Sequence, residues 1–125
     1  MDVHVFQVAQ RAEDLERAQA FYANLLGVEA SAVFDPPGLV FFQIDGLRLL
    51  LDRAAPPALI YLQVPDIREF ATSWKEQGGI IESEPHVIFS HSDDRLGPAE
   101  TDEWMTFIRD SEGNLLGLVS HHPAK

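Results

Sequence analysis

The chain has 125 residues, 46% of them hydrophobic, with 20 acidic against 9 basic side chains, a formal net charge of −11 and no cysteine. This length fits one domain, or two half-size modules that are each too small to be stable alone. The excess of acidic residues argues against nucleic-acid partners. The apolar runs are too short for a membrane span, and the N-terminal sequence argues against a secretion signal. The absence of cysteine excludes disulfides. We therefore expect a cytoplasmic globular protein.

The first half of the sequence predicts a strand, a helix and three further strands. The first strand is expected at about 3–9, where valines recur. A helix is expected at about 13–27, because Leu15, Ala18 and Tyr22 follow helical spacing and Gly27 stands just past the last apolar residue. The other strands are predicted at about 29–34, 39–44 and 48–53.

The second half repeats this order at an offset of 52 residues, which relates Asp14 to Asp66 and Gly27 to Gly79. The repeated unit is β-α-β-β-β, so we expect a single domain, 1–125, of two modules, about 1–54 and 57–122. Each module alone would leave one sheet face exposed, so the two must pair within a chain or between chains. The predicted elements are strands at about 59–64, 80–89, 103–110 and 115–121 and a helix at about 65–79.

An extra polar segment, His91–Thr101, interrupts the repeat. Loops of this length are usually functional or mobile. A mobile surface loop, a lid and a dimer contact all remain open as its role.

The two units, with DL…FY…LG in the first and DI…GG in the second, and the closing RDSEGNLLGL resemble the vicinal oxygen chelate superfamily. This group includes the glyoxalases, the bleomycin-resistance proteins and the extradiol dioxygenases. The segments FDPPGLVFFQIDGLRLLL and EPHVIF…DEWMTFIRDSEGNLLGLVS are most similar to small glyoxalase-like members. The resemblance implies an α+β fold in which two βαβββ modules form a curled, eight-stranded cup, and it implies a homodimer.

The resemblance also implies positions for a metal site. Metal-dependent relatives hold one divalent ion on His or Gln of each first strand and Glu of each last strand. The matching positions here are Gln7, Leu50, Leu59 and Gly117, which provide one amide and three groups that cannot ligate. We therefore predict no cofactor and no metal at the inherited site. A displaced divalent-metal site at Gln7, His86 and His121 is the alternative.

What remains for function is apolar and aromatic surface with a few polar groups, which is typical of a small-molecule site. Phe41 and Phe42 point to opposite sides of one strand, so one is expected in the cup and the other under a helix. Gln7, expected to face an apolar concavity, needs a hydrogen-bond partner. Alternatively, the aromatic residues simply fill the core. The predicted ligand-binding residues are Gln7, Phe41, Phe42, Arg48, Trp104 and Gly117.

Three functions follow from this sequence, and no catalytic residue is assigned. The first is a metal-free module that binds a small, partly apolar or aromatic molecule in the cup. The second is a metal-dependent lyase, isomerase or dioxygenase with a non-standard metal site. The third is a structural or regulatory dimer with a vestigial cup. The first is favoured, because enolate-type chemistry on this fold depends on the Lewis acidity of an ion.

Overall fold

The structure is a computed structural model and describes residues 2–124. The predicted order of elements, β-α-β-β-β used twice, is confirmed, and so is the α+β class with two four-stranded mixed sheets. The elements are β1 (Gln7–Arg11), α1 (Leu15–Leu26), β2 (Ala32–Phe34), β3 (Leu39–Ile44), β4 (Leu47–Asp52), β5 (Ile60–Gln63), α2 (Ile67–Glu76), β6 (Ile81–His91), β7 (Thr101–Arg109) and β8 (Leu115–Pro123).

The chain divides into two compact units. The first contains the residues up to Ala58 together with Asp110–Asn114, the turn between β7 and β8. The second contains Leu59–Arg109 and the residues from Leu115 onward. Each unit is built around one of the two sheets.

In the first unit the strand order is β1-β4-β3-β2, with β1 parallel to β4 and the other pairs antiparallel. The Asp14 carboxylate begins α1 by accepting from the Arg17 N–H at 3.0 Å, and Gly27 ends it with φ of 72°. The helix contacts β3 and β4. Side chains alternate along strands, so one face of the sheet meets α1 and the other, which we call the first open face, does not. The buried residues on the α1 side are Leu15, Ala18, Tyr22, Val40, Phe42, Leu49 and Leu51.

The buried Asp110 carboxylate joins α1 to the turn of the first unit. It accepts the Tyr22 hydroxyl at 2.5 Å, the Asn114 side-chain amide at 2.9 Å, and the backbone N–H groups of Glu112 and Asn114 at 2.9 and 2.8 Å. Burial, and then the bond to Asp110, raise the pKa of Tyr22, so its phenol stays a donor. The carboxylate is therefore satisfied by four donors.

In the second unit the order is β5-β8-β7-β6, with β5 parallel to β8. The Asp66 carboxylate begins α2 by accepting from the N–H groups of Arg68 and Glu69. The Ser120 hydroxyl accepts from the Ile67 N–H at 3.0 Å and fixes the helix on β8. The face of this sheet turned away from α2 is the second open face. The buried residues on the α2 side are Ile67, Ala71, Trp74, Thr106, Ile108, Leu116, Leu118 and Ser120.

Several boundaries of strands differ from the prediction, and the largest difference is at the start of β1. β1 begins at Gln7 rather than at residue 3, and Val3, Val5 and Phe6 are exposed. The physical reason is the length of its partner: β4 begins at Leu47 and pairs from Arg48 with Gln7. The Phe6 carbonyl still accepts from the Arg48 N–H, but residues before Phe6 have no strand of this sheet beside them. β2 is also shorter than predicted, whereas β6 and β7 extend further, which leaves 92–100 as their connection.

Neither α1 nor α2 has the length and hydropathy needed to span a membrane, and the described residues contain no other helix that does.

Candidate functional site

A guanidinium group that lies over two aromatic rings is found on the first open face. The Gln7 Oε1 atom accepts from Arg48 Nε at 3.0 Å and from Arg48 Nη2 at 2.7 Å. The guanidinium carbon lies 4.4 Å from the ring centre of Phe6 and 5.0 Å from that of Phe41. We call Phe6, Gln7, Phe41 and Arg48 the guanidinium cluster. Three of the six predicted ligand-binding residues are thus brought together, and Phe6 is the member that sequence reasoning missed.

Gln7 uses only part of the Arg48 guanidinium, and the rest of the group is available to bind a ligand. One edge of the group, Nε and Nη2, is used by Gln7, and no described residue accepts a hydrogen bond from the other N–H groups. The side chain is half-buried, and the hydrogen bonds to Gln7 and the contacts with both rings restrict its orientation. A planar, oriented guanidinium of this kind matches the geometry of a carboxylate.

The other three predicted ligand-binding residues are described within their own units. Phe42 is fully buried on the α1 side of its sheet, where it belongs to the core. Trp104 lies on the α2 side of the second sheet, with the Arg68 guanidinium 4.3 Å from its ring centre, and borders a cavity of about 230 Å³. Gly117 lies on the second open face, where a Cβ atom would come within 2.5 Å of the Tyr61 ring.

The inherited metal positions do not fit a divalent ion. The amide oxygen of Gln7 already accepts from a cation, Arg48, whose charge would repel a metal at the same atom. Leu50 and Leu59 provide only hydrocarbon, and the space beside Gly117 is taken by the Tyr61 ring. The donor set lacks the imidazole and carboxylate groups that would compensate the cost of dehydrating the ion.

A second polar group, the His-Glu-His cluster of His91, Glu103 and His121, lies on the second open face. The Glu103 Oε1 atom is 2.9 Å from His91 Nε2 and 3.1 Å from His121 Nε2. The strand register explains the meeting: Glu103 on β7 lies directly opposite His121 on β8, and His91 is the last residue of β6. The side chains of His91, Glu103 and His121 are 2%, 20% and 14% exposed.

The environment of Glu103 favours its charged form. Burial raises the pKa of this carboxyl, but the hydrogen bonds from His91 and His121 together outweigh burial, and the pKa of Glu103 lies below its ordinary value. The cluster therefore presents a carboxylate between two imidazoles at neutral pH.

Residues of the 92–100 connection lie against the His-Glu-His cluster. The Gly97 backbone is so close that an added Cβ would lie 3.0 Å from His91 Nε2 and 3.1 Å from His121 Nε2. A cavity of about 340 Å³, bordered by His91, opens beside the cluster, and small-molecule sites begin at roughly 300 Å³. Its other lining residues are Phe89, Ser92, Asp93, Arg95 and Leu96.

The displaced metal site considered from the sequence, Gln7 with His86 and His121, stays a prediction, because its members belong to different units. Gln7 belongs to the first unit and is bound by Arg48. His86 is exposed, with its Nδ1 atom 2.9 Å from the Glu84 carbonyl oxygen. Of the three, only His121 lies in the His-Glu-His cluster.

Comparison with known proteins places the chain in a family. The family model described as Glyoxalase/Bleomycin resistance protein/Dioxygenase superfamily matches residues 4–118. The chain belongs to this superfamily. The resemblance inferred from the sequence is thereby confirmed, and no curated protein sequence matches the chain.

Solved structures of superfamily proteins share the fold. Lactoylglutathione lyase from Agrobacterium tumefaciens matches with a TM-score of 0.69 and 23% identity, over 95% of this chain and 94% of that protein. A superfamily member from Sphaerobacter thermophilus matches with a TM-score of 0.66 and 21% identity, over 95% and 98% of the two chains. A superfamily protein from Alicyclobacillus acidocaldarius matches with a TM-score of 0.63 and 22% identity, over 94% of this chain and 91% of that protein. At 21–23% identity, the similarity to these structures shows a shared fold alone.

Proposed function

We propose that this superfamily member binds a small, partly apolar molecule carrying a carboxylate, and that it does so without a metal ion at the inherited positions. The observation that supports this proposal is the guanidinium cluster. Gln7 and the stacked rings hold Arg48 in one orientation, so little side-chain entropy is lost when a ligand binds.

The chemistry of the cluster suggests where each part of such a ligand would lie. The carboxylate would accept from the guanidinium N–H groups that Gln7 does not use, as a charge-assisted hydrogen bond. The apolar part would contact Phe6, which is 66% exposed, and the neighbouring face of Phe41. Flat aromatic or short aliphatic carboxylates are therefore the ligand class expected.

The test is a thermal-shift screen followed by calorimetry with benzoate-type and short aliphatic carboxylates, each paired with its neutral primary amide. We expect carboxylates to raise the melting temperature and amides of the same shape to have no effect. Arg48→Gln should abolish the shift, and Arg48→Lys should weaken binding at least tenfold, because a lysine cannot reproduce the planar fork.

Arg68→Gln is the matched control, since Arg68 is also stacked on an aromatic ring, that of Trp104 in the second unit. This variant should bind carboxylates as the wild type does. Equal binding of acids and amides, or unchanged affinity in Arg48→Gln, would show the proposal to be wrong. If no compound binds at all, the third function, a structural or regulatory dimer, becomes the better one.

Two further proposals rest on family membership. Superfamily members are commonly dimeric and bind small molecules, and we propose a homodimer located in the cytoplasm. Light scattering after size exclusion at several concentrations would test the dimer: a mass near 14.0 kDa at every concentration would exclude it.

A further inference from the structure

The second unit contains a group of metal-ligating side chains at positions other than the inherited ones. We propose that His91, Glu103 and His121 bind one divalent transition-metal ion. Each residue offers one ligand atom, and these atoms all lie within 4.8 Å of one another. They come from three neighbouring strands, so strand pairing rather than loop conformation holds them together.

The donor types suit this class of ion. Two imidazoles and one carboxylate form a set that binds Zn²⁺, Fe²⁺, Ni²⁺ or Mn²⁺, whereas Ca²⁺ and Mg²⁺ prefer oxygen ligands throughout. The carboxylate partly compensates the charge of the ion, which the inherited positions cannot do.

The spacing of the donors also suits an ion. With metal–ligand bonds of about 2.1 Å, two ligands at tetrahedral or octahedral angles lie roughly 3.0 to 3.4 Å apart. Glu103 Oε1 lies 2.9 Å from His91 Nε2 and 3.1 Å from His121 Nε2. An ion can thus replace the protons of these two hydrogen bonds with small side-chain movements, each imidazole then ligating through a neutral Nε2.

Space for the other ligands of the ion is available on the side of His91 that borders the cavity. Gly97 packs closely on the cluster: a Cβ at this position would lie 3.0 Å from His91 Nε2 and 3.1 Å from His121 Nε2, so any larger residue would crowd the two ligand atoms. The cavity of about 340 Å³ next to His91 provides room for water or a small molecule. Three protein ligands and open positions are the arrangement of catalytic rather than structural metal sites.

One feature sets the expected strength of binding. The His121 Nδ1 atom is buried and has no hydrogen-bond partner among the described residues. Metal-bound imidazoles usually donate this second N–H to a carboxylate or carbonyl, and losing that partner costs about 10- to 100-fold in affinity. We therefore expect weaker binding than at a site in which both imidazoles have this partner.

The experiment is calorimetric titration of the full chain, purified without a histidine tag and stripped by a chelator, with Zn²⁺, Ni²⁺, Mn²⁺ or Co²⁺ alone. We expect one ion per chain, with Co²⁺ giving the visible absorption of a site with nitrogen and oxygen ligands. Glu103→Gln and His121→Gln should each weaken binding at least tenfold. Circular dichroism of each variant would confirm that it is folded.

Three variants separate this site from adventitious binding. His86→Gln removes an exposed histidine from the same strand as His91 and should leave the affinity unchanged. Gly97→Ala removes no donor but should weaken binding, because its Cβ would crowd the Nε2 atoms of His91 and His121. Arg48→Gln should bind metal as the wild type does, so failure of the carboxylate proposal leaves this one standing. The proposal is overturned if the wild type does not bind below about millimolar, or if Glu103→Gln and His121→Gln bind as it does.

Discussion

The phenol of Tyr22 donates a 2.5 Å hydrogen bond to the carboxylate of Asp110, which lies 88 residues later in the chain. We expect Tyr22→Phe to lower the free energy of unfolding by about 1–2 kcal/mol. The loss is limited because Asp110 keeps its bonds from Glu112 and Asn114. Urea denaturation measures the change.

Tyr61→Phe is the matched control for this substitution. Tyr61 is 51% exposed, so removing its hydroxyl should change the free energy of unfolding by less than about 0.5 kcal/mol. Equal losses in the two variants would mean that the contact with Asp110 contributes nothing specific.

The Glu112 carboxylate predicts a pH dependence of stability. Hydrogen bonds from Arg17, and a further one from the Asp14 N–H, lower the pKa of Glu112 from 4.5 to about 2. The folded pKa is below the unfolded one, so the stabilisation is complete above about pH 4.5 and is lost as the pH falls toward 2. Because Arg17 is half exposed and solvent screens its charge, we expect the ionised Glu112 to stabilise the fold by about 2 kcal/mol at neutral pH.

Glu112→Gln should therefore unfold more readily than the wild type at pH 7, and the difference should shrink steadily between pH 4.5 and 2. Thermal unfolding across this range checks the prediction. Glu84→Gln removes an exposed ion pair with Lys75 and should change little at any pH. A difference for Glu112→Gln that persists undiminished at pH 2 would contradict the assignment.

Gly117 and Tyr61 are predicted to be energetically coupled. Alanine at 117 would bring a Cβ within 2.5 Å of the Tyr61 ring, so we expect Gly117→Ala to cost about 1–3 kcal/mol. In a Tyr61→Ala background the same change should cost less, since the ring is gone. A double-mutant cycle with no coupling would show that the ring moves aside without loss.

Gln10 offers a prediction about a buried polar side chain. It is fully buried, donates to the Ala58 carbonyl at 2.8 Å and accepts from the Ala58 N–H at 2.8 Å. Gln10→Leu removes both of these bonds, and a third one from the Arg11 N–H, so we expect a loss of about 2–4 kcal/mol. Chemical denaturation measures it. The exposed Gln43, whose side chain has no such role, provides the comparison: Gln43→Leu should lie within about 0.5 kcal/mol of the wild type.

Much of the fold could be predicted from the sequence because its signals are local. The helices, expected at about 13–27 and 65–79, are found at Leu15–Leu26 and Ile67–Glu76. Their spacing pattern and the alternation of Phe41 and Phe42 depend on a few neighbouring residues, and the repeat required only a count. The start of β1 could not be predicted this way. It depends on where β4 begins, and that pairing joins residues far apart in the chain.

The His-Glu-His cluster was missed for a related reason. Counting alternate residues along β6 fails, because the pairing of β6 with β7 shifts register between Ile81 and Ser83, between Ser83 and His86, and between Val87 and Phe89. The face on which His91 lies therefore does not follow from its distance to His86. The clearest signal was the single carboxylate at Glu103, directly opposite His121 once the hairpin of β7 and β8 is drawn.

The turn Asp110–Asn114 completes the first unit although it is encoded within the second repeat. A gene fragment ending at Ala58 would thus encode a module whose buried tyrosine has lost its acceptor. The repeats share one order of elements, yet recombination at the junction between them would separate Tyr22 from Asp110. Evolutionary exchange between related genes is consequently expected to move both repeats as one heritable block.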